Sequence, residues 1–593
     1  MTTFVEKQSV VHADWLNGVD GLANTPVFEG AQTKPDARTA LYSDAPLEIL
    51  NGGTAARDAG AALSNLGGFP SANFTRVNIG STLFPQTADE FAASITPVNY
   101  YYPPGQFERY GAIGNNTVDD SAAVLTAIMS GALVTGIAGN TYYCGTGTIN
   151  VTVSFTASLY GVALRTAVAG ATFLNITASN VTIRGVEIYG RGNSAYTSLE
   201  RLVVWSGTAD AISPPVYVTD LRLTDCYIHD SGERAIYSEY GQRATITNCR
   251  FKNLGYAGIT TLSGVDWEIL GGIIDTISPG TSGNAYGVSF TRNPTLSDNL
   301  TLIPRSKNCK VIGMTVLNNT IWTALDTHGG EECHFISNIV QNCKMGVTIG
   351  SCPGVSTNPL FGPKNCKSIG NNVLNTTPIS GNFGIGINGA IVVTGTLVDA
   401  ADGCCSVGDK VLGCGVTANP NSAGFQFSAT TGLIVSGSHA IACFPHGFIF
   451  YHDNYGFTAT GLVAVDPYDS TVTNCAGIYL PSDYNTGAIS GCSFRRVNAG
   501  LGTTVGRWAI AGVNVANSAF AIGANYSTMT GYVSGIPGFT VTPLTDSSGG
   551  TPSNTIAAVP GSYTQATLAN QLASLASAIN TIETTLRTAG LMQ

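Results

Sequence analysis

"LRLTDCYIHDSGERAIYSEYGQRATITNCRFKN", residues 221–253, contains one short pattern twice. In each copy an alternating apolar run (Leu221 and Leu223, then Ala244 and Ile246) meets Asp225 or Asn248, passes a cysteine and resumes as a second short run. Asp225 and Asn248 are 23 residues apart. The series continues through "WEILGGIIDT" (267–276), "KVIGMTVLNN" (310–319) and "HFISNIVQNC" (334–343), with Asn248 to Gly271 again 23 and Gly313 to Ser337 24. Gly271 to Gly313 is 42, which reads as one loop bulging from a coil around 277–306. Later copies are "LIVSGSHAIA" (433–442), "TATGLVAV" (458–465) and "AISGCSFRRV" (488–497). A fixed period of this size marks a solenoid. The repeat has no helical periodicity, so its unit is a coil of short strands, stacked at ~4.8 Å with inward residues forming ladders. The expected fold is all-β, a right-handed parallel β-helix over 140–500, with Cys226 above Cys249 as one ladder.

Composition agrees and excludes alternatives. Glycine is 71 of 593 residues and charged residues only 11%, which suits many short strands and tight turns rather than disorder. The net charge is −10 with no basic run, so a nucleic-acid partner is not expected. No stretch approaches the ~18 consecutive apolar residues of a membrane span. The start, "MTTFVEKQSVVHADWLNG", lacks a basic-then-apolar leader, so synthesis in a cytoplasm is the default. Fourteen cysteines without such a leader read as buried small hydrophobes rather than disulfides. Neither paired CxxC motifs nor a D-x-D-x-D-G loop is present, so no metal and no cofactor is expected.

The ends read differently. Residues 1–100 form a separate N-terminal segment, and 101–139 lead into the coil with a capping helix, "SAAVLTAIM", behind Asp119 and Asp120 at its N-cap. Residues 501–545 alternate without the coil pattern and read as a β-rich cap or carbohydrate-binding element. Residues 546–593 are linker and helix. Leu568, Leu572, Leu575, Ile579, Ile582, Leu586 and Ala589 are spaced 4, 3, 4, 3, 4, 3, a heptad seam that implies an oligomer without fixing its number. The alternative is one amphipathic helix packed on its own domain.

Three stretches carry a resemblance. "VVHADWLNGVDGLAN" and "LNGGTAARDAGAALSNLGG" (50–68) resemble recurrent openings of bacteriophage tailspike and tail-fibre proteins. "RYGAIGNNTVDDSAAVLTAIMSG" (109–131) resembles the lead-in of pectate-lyase-like phage β-helices, with Asn115 and Asn116 where Asp-Gly is usual. The resemblance implies a homotrimeric, virion-borne tailspike attached to the phage tail or baseplate through its N-terminus. It also implies a capsule, O-antigen or exopolysaccharide of the host bacterium as substrate.

Candidate chemistry follows from aligning the last strand of each coil. Ile236, Ile259, Val288, Leu325 and Val347 then point inward, and Tyr237, Thr260, Ser289, Asp326 and Thr348 outward. The next outward set is Glu239, Leu262, Thr291, His328 and Gly350. Asp326 and His328 in "DTHGG" are thus neighbours ~7 Å apart along a strand, expected to face solvent, and a carboxylate beside an imidazole suits acid–base work. A polar turn reads equally from the same string. Glu239 lies three coils away, ~14 Å, beyond the carboxyl spacing of either class of glycosidase; Glu331 is a possible partner after the Gly329-Gly330 turn. A second outward column, Arg222, Thr245, Glu268, Lys310 and His334, reads as a charge ladder, with Glu268 as a further candidate acid. Tyr237, Trp267, Trp322 and Tyr451 are candidate sugar-stacking rings and Arg292 a candidate cation. Hydrolysis is favoured, β-elimination on a uronic-acid polymer by His328, Tyr237 and Arg292 is the second reading, and a non-enzymatic receptor-binding spike the third.

Overall fold

The computed structural model describes residues 83–516 except 193–197, 211, 279–282, 356–358, 375–382, 392–396, 416–421, 466–475, 482–484, 496–498, 504–506 and 512–513, and also 528–529, 551 and 564–588. Its strands stack into three long parallel sheets of 14, 15 and 13 strands, here sheets 1, 2 and 3 in the order a coil visits them. One coil runs Val218–Thr224, Tyr227–Ser231, Arg234–Glu239. The next runs Gly241–Thr247, Arg250–Leu254, Ala257–Leu262 and pairs with it in parallel on every sheet. The fold is the expected parallel β-helix.

The sequence repeat is a backbone requirement. Between sheets 1 and 2 these coils turn through a residue with positive φ: Asp225 (54°), Asn248 (52°), Gly271 (64°, followed by Gly272 at 92°), Gly313 (67°) and Ser337 (53°). Glycine enters that region without penalty, and Asp or Asn tolerates it through local hydrogen bonds. The Asn248 amide donates to Asp225 Oδ1 at 2.7 Å, so successive corners also bond to each other.

Alternation then fills the interior. Ile236, Ile259, Val288, Leu325 and Val347 are in register and fully buried. The Cys226–Cys249 ladder is present, thiol beside thiol, and the described cysteines form no disulfide. Higher up, the same inner corner becomes polar. Asn338 donates to the Val311 carbonyl at 3.0 Å and Asn371 to that of Phe335 at 2.8 Å. Asp409 comes next and accepts from the Asn371 backbone at 2.8 Å and from Ser406 Oγ at 2.6 Å. Burial pushes its carboxyl up to about 6, against the lowering effect of these bonds.

The expected boundaries of the coil are too narrow at both ends. Sheet 2 opens with Asn115–Asp119, well before residue 140. Ala499–Thr503, Arg507–Ala511 and Asn514–Ala516 extend all three sheets past residue 500. Pairing needs alternating residues that stack, with or without a repeated corner motif. Most of 501–545 and residues 1–82 lie outside the described residues. Helix α1 (Ala88–Ala92) carries a capping box from Thr87 to Glu90, and Glu90 also holds the buried Arg109 at 2.7 Å. Helix α2 (Ser121–Met129) follows Asp120, whose carboxylate turns back to the Ile113 and Gly114 amides; Asp119 instead accepts from Ser121. Helix α3 (Gln565–Thr588) leaves Leu568, Leu572, Leu575, Ile579 and Ile582 exposed along its seam.

Candidate functional site

On sheet 3 the outward columns align as expected: Tyr237, Thr260, Ser289, Asp326, Thr348, and beside them Glu239, Leu262, Thr291, His328, Gly350. Outward is not exposed, however. Asp326 has no accessible surface, and Ser289, Thr260 and Tyr237 keep 3%, 5% and 7%. The expectation of a solvent-facing Asp326 is corrected: Ser289 and His328 close on its carboxylate, while connections bond at the ends of the neighbouring strands. Asn293, just past Thr291, reaches the Tyr240 hydroxyl at 3.1 Å. Arg305 donates to the Gly329 and Gly362 carbonyls at 2.7 and 2.6 Å and pairs with Asp399 at 3.1 Å.

Asp326 Oδ2 receives Ser289 Oγ at 3.0 Å and stands 3.0 Å from His328 Nε2. His328 Nδ1 lies 3.1 Å from the Ser351 carbonyl. Both ring nitrogens therefore face acceptors, and only the imidazolium, a donor at each nitrogen, satisfies both. Burial works against that charge, but the Asp326 carboxylate and the Ser351 bond outweigh it and raise the His328 pKa. Asp326 Oδ1 is buried without a hydrogen-bond partner. The edge of Tyr286 closes on the imidazole, ring centroids 6.1 Å apart at 87°.

The other candidates separate. Glu239 accepts from the Tyr237 hydroxyl and has Asn293 Nδ2 3.5 Å away; register keeps it three coils from His328. The Tyr237 ring is no open platform, because the Arg201 guanidinium sits 3.7 Å above its centroid. Glu268 belongs to sheet 1 and pairs with Lys310 at 3.3 Å, as a charge ladder would. Glu331 pairs with Lys307 at 2.6 Å beside sheet 1 rather than with Asp326. Arg292 is fully buried, donates to Ile303 and Ser297 carbonyls within its own loop and lies on Phe361, so it pins that loop and does not reach solvent. Trp267 is fully buried, its indole N–H on the Gly241 carbonyl at 2.9 Å and its ring beside Trp205; it is core. Tyr451 shares the His328 column four coils further on, about 19 Å away, so the two are not brought together.

Trp322 lies next to Tyr286, the ring that meets His328. It is half-buried, immediately before the strand that carries Asp326 and His328, with its indole near the Tyr286 hydroxyl. Tyr286 in turn packs on the half-buried Tyr256 at 5.6 Å. Tyr256 and Lys344 were not among the residues expected here; both immediately precede a sheet 3 strand, where an outward position could have been inferred from register. The Ser351 carbonyl had no sequence signal. Among the described residues no group of three His, Cys, Asp or Glu side chains is placed to hold a metal ion, and no described helix is long and apolar enough to cross a membrane.

The geometry defines a right-handed β-helix, and the family described as "right handed beta helix region" matches residues 111–274. No curated protein matches the chain. Among solved structures, similar ones include the A-module of mannuronan C-5 epimerase AlgE4 from Azotobacter vinelandii (12% identity, TM-score 0.38, 72% of this chain and 100% of that one). The catalytic unit of an α-1,3-glucanase from Streptomyces thermodiastaticus is similar at 12% identity and TM-score 0.39, over 74% of this chain and 70% of that one. The tailspike protein of an E. coli bacteriophage, in complex with a pentasaccharide, is similar at 12% identity and TM-score 0.40, over 71% and 77%. None of these likenesses bears on the chemistry.

Proposed function

We propose that the chain is a bacteriophage tailspike that binds and depolymerises a surface polysaccharide of the host bacterium, with the outward face of sheet 3 as the glycan-contact face. One observation carries this reading: Tyr256 packs on Tyr286 and Tyr286 meets the Asp326–His328 pair, with the half-buried Trp322 immediately before the strand that bears the pair. Aromatic faces suit pyranose rings, and a charged imidazole at their edge suits proton donation. The resemblance of the N-terminal stretches to phage tail proteins supports virion attachment.

Hydrolysis is favoured over β-elimination. A lyase begins by abstracting a proton, whereas His328 between two acceptors already carries its own. Asp326 holds that imidazolium in place. Glycosidases also need a second carboxyl within ~9.5 Å, and Glu239 is three coils off. The second group then comes from a neighbouring subunit of a homotrimer, a reading that the exposed α3 seam supports. The test is incubation with host polysaccharide, followed by fragment mass and absorbance near 235 nm, for wild type and Asp326→Asn. Saturated fragments from wild type alone support the hydrolase. Absorbing ends make it a lyase, and binding without shortening leaves a receptor-binding spike.

A further inference from the structure

Asp326 is held through one oxygen. Its carboxylate is fully buried, and both of its polar contacts among the described residues fall on Oδ2: Ser289 Oγ donates at 3.0 Å and His328 Nε2 stands at 3.0 Å. Oδ1 is buried without a hydrogen-bond partner. Register explains where the serine comes from. Ser289 and Thr348 flank Asp326 in its outward column, one coil before and one coil after. Thr348 turns away, its hydroxyl 3.3 Å from that of Thr323. Ser289, itself 3% exposed, is the register neighbour that turns to the carboxylate.

Two donors on one oxygen compete. Each hydrogen bond that a carboxylate accepts lowers its basicity, so the share taken by Ser289 weakens the pull of Oδ2 on the imidazolium proton. The same bond ties down the carboxylate plane, because turning Oδ1 toward the ring would break the Ser289 contact. Among the described residues, the titratable groups that face the imidazole are Asp326 on its own strand and Tyr286 on the coil before. Arg305 bonds the Gly329 carbonyl next to His328 but is paired with Asp399.

Building on the reading of His328 as the proton donor, we infer that Ser289 is the positioning residue of this site: its hydroxyl fixes which carboxylate oxygen faces His328 and limits how tightly the imidazolium holds its proton. A general acid works best with a pKa near the working pH, whereas an unmoderated carboxylate beside the ring pushes it upward. Ser289 moderates that push without adding a charge.

The test is deuterium exchange at the imidazole C2 position, read by mass spectrometry across pH, which gives the His328 titration midpoint without any substrate. Ser289→Ala should raise that midpoint by about one unit, a roughly ten-fold tighter proton. Ser289→Thr keeps the hydroxyl and should stay within about 0.3 units of wild type. On a polysaccharide that wild type shortens, the alkaline limb of kcat in Ser289→Ala should move upward with the midpoint, with KM unchanged. An unchanged or lowered midpoint in Ser289→Ala, or a threonine variant that shifts as alanine does, would overturn the positioning role. The expected midpoints in a protein that shortens no polysaccharide would sustain the tie between Ser289 and His328 and overturn the depolymerase reading instead.

Discussion

Asp409→Asn should stabilise the protein at neutral pH. The carboxyl is 1% exposed with a pKa of about 6 in the folded state, against ~3.9 in an unfolded chain. The folded state therefore binds the proton more tightly, and stability is fully present below about pH 4 and is lost as pH rises through about 6. Two units correspond to about 3 kcal/mol at pH 7.5. Asparagine removes the titration and continues the ladder of Asn338 and Asn371, whose amides donate to the carbonyls of Val311 and Phe335. The register partner of those residues in the next coil is Ser368, whose carbonyl is the expected acceptor for the new amide. Urea unfolding of wild type and variant at pH 7.5 and pH 4 measures the effect. A gain of about 3 kcal/mol at pH 7.5 that shrinks to under about 1 at pH 4 is expected. A variant no more stable at pH 7.5, or a gain that grows on acidification, would refute the reasoning.

The corner residues give a second outcome: Asn248→Ala should cost about 1–2 kcal/mol through its positive φ, whereas Asn248→Gly should stay within a few tenths, both read by urea midpoints. Trp267→Ala should cost about 3–5 kcal/mol by opening the core, while Glu268→Ala, next to it but outward, should stay within about 0.5. For His328 the folded pKa is raised, so the tie to Ser351 is complete below about 6.5 and weakens as pH rises through the folded value. Hydrogen exchange at the Ser351 and Cys352 amides, corrected for intrinsic rates, should lose protection on the alkaline side in wild type and show no such step in His328→Gln.

The coil was legible because its corners demand particular residues. Asp225, Asn248, Gly271, Gly313 and Ser337 all have positive φ, so geometry wrote the period into the sequence. Strand alternation then fixed which side chains point outward, including Asp326 and His328. It also placed Trp267 inward beside Glu268 outward, a hint that core position was its role. What alternation cannot say is which outward residues stay uncovered. Asp326 is buried where Ser289 and His328 close on its carboxylate, a side-chain arrangement that alternation does not specify. Nor does alternation say that Arg201, in register one coil earlier on the same sheet, lays its guanidinium over the Tyr237 ring.

The central claim is that glycan lies on sheet 3. Sheet 2 offers a rival surface, where His229 is stacked between Tyr189 and Tyr227 and bonded to Glu187 and Asp230. Hydroxyl-radical footprinting with and without oligosaccharides released from the host polymer distinguishes the two directly. Protection of Tyr256 and Trp322, with Tyr189 and Tyr227 unchanged, is the predicted result. Protection confined to Tyr189 and Tyr227 would contradict the account.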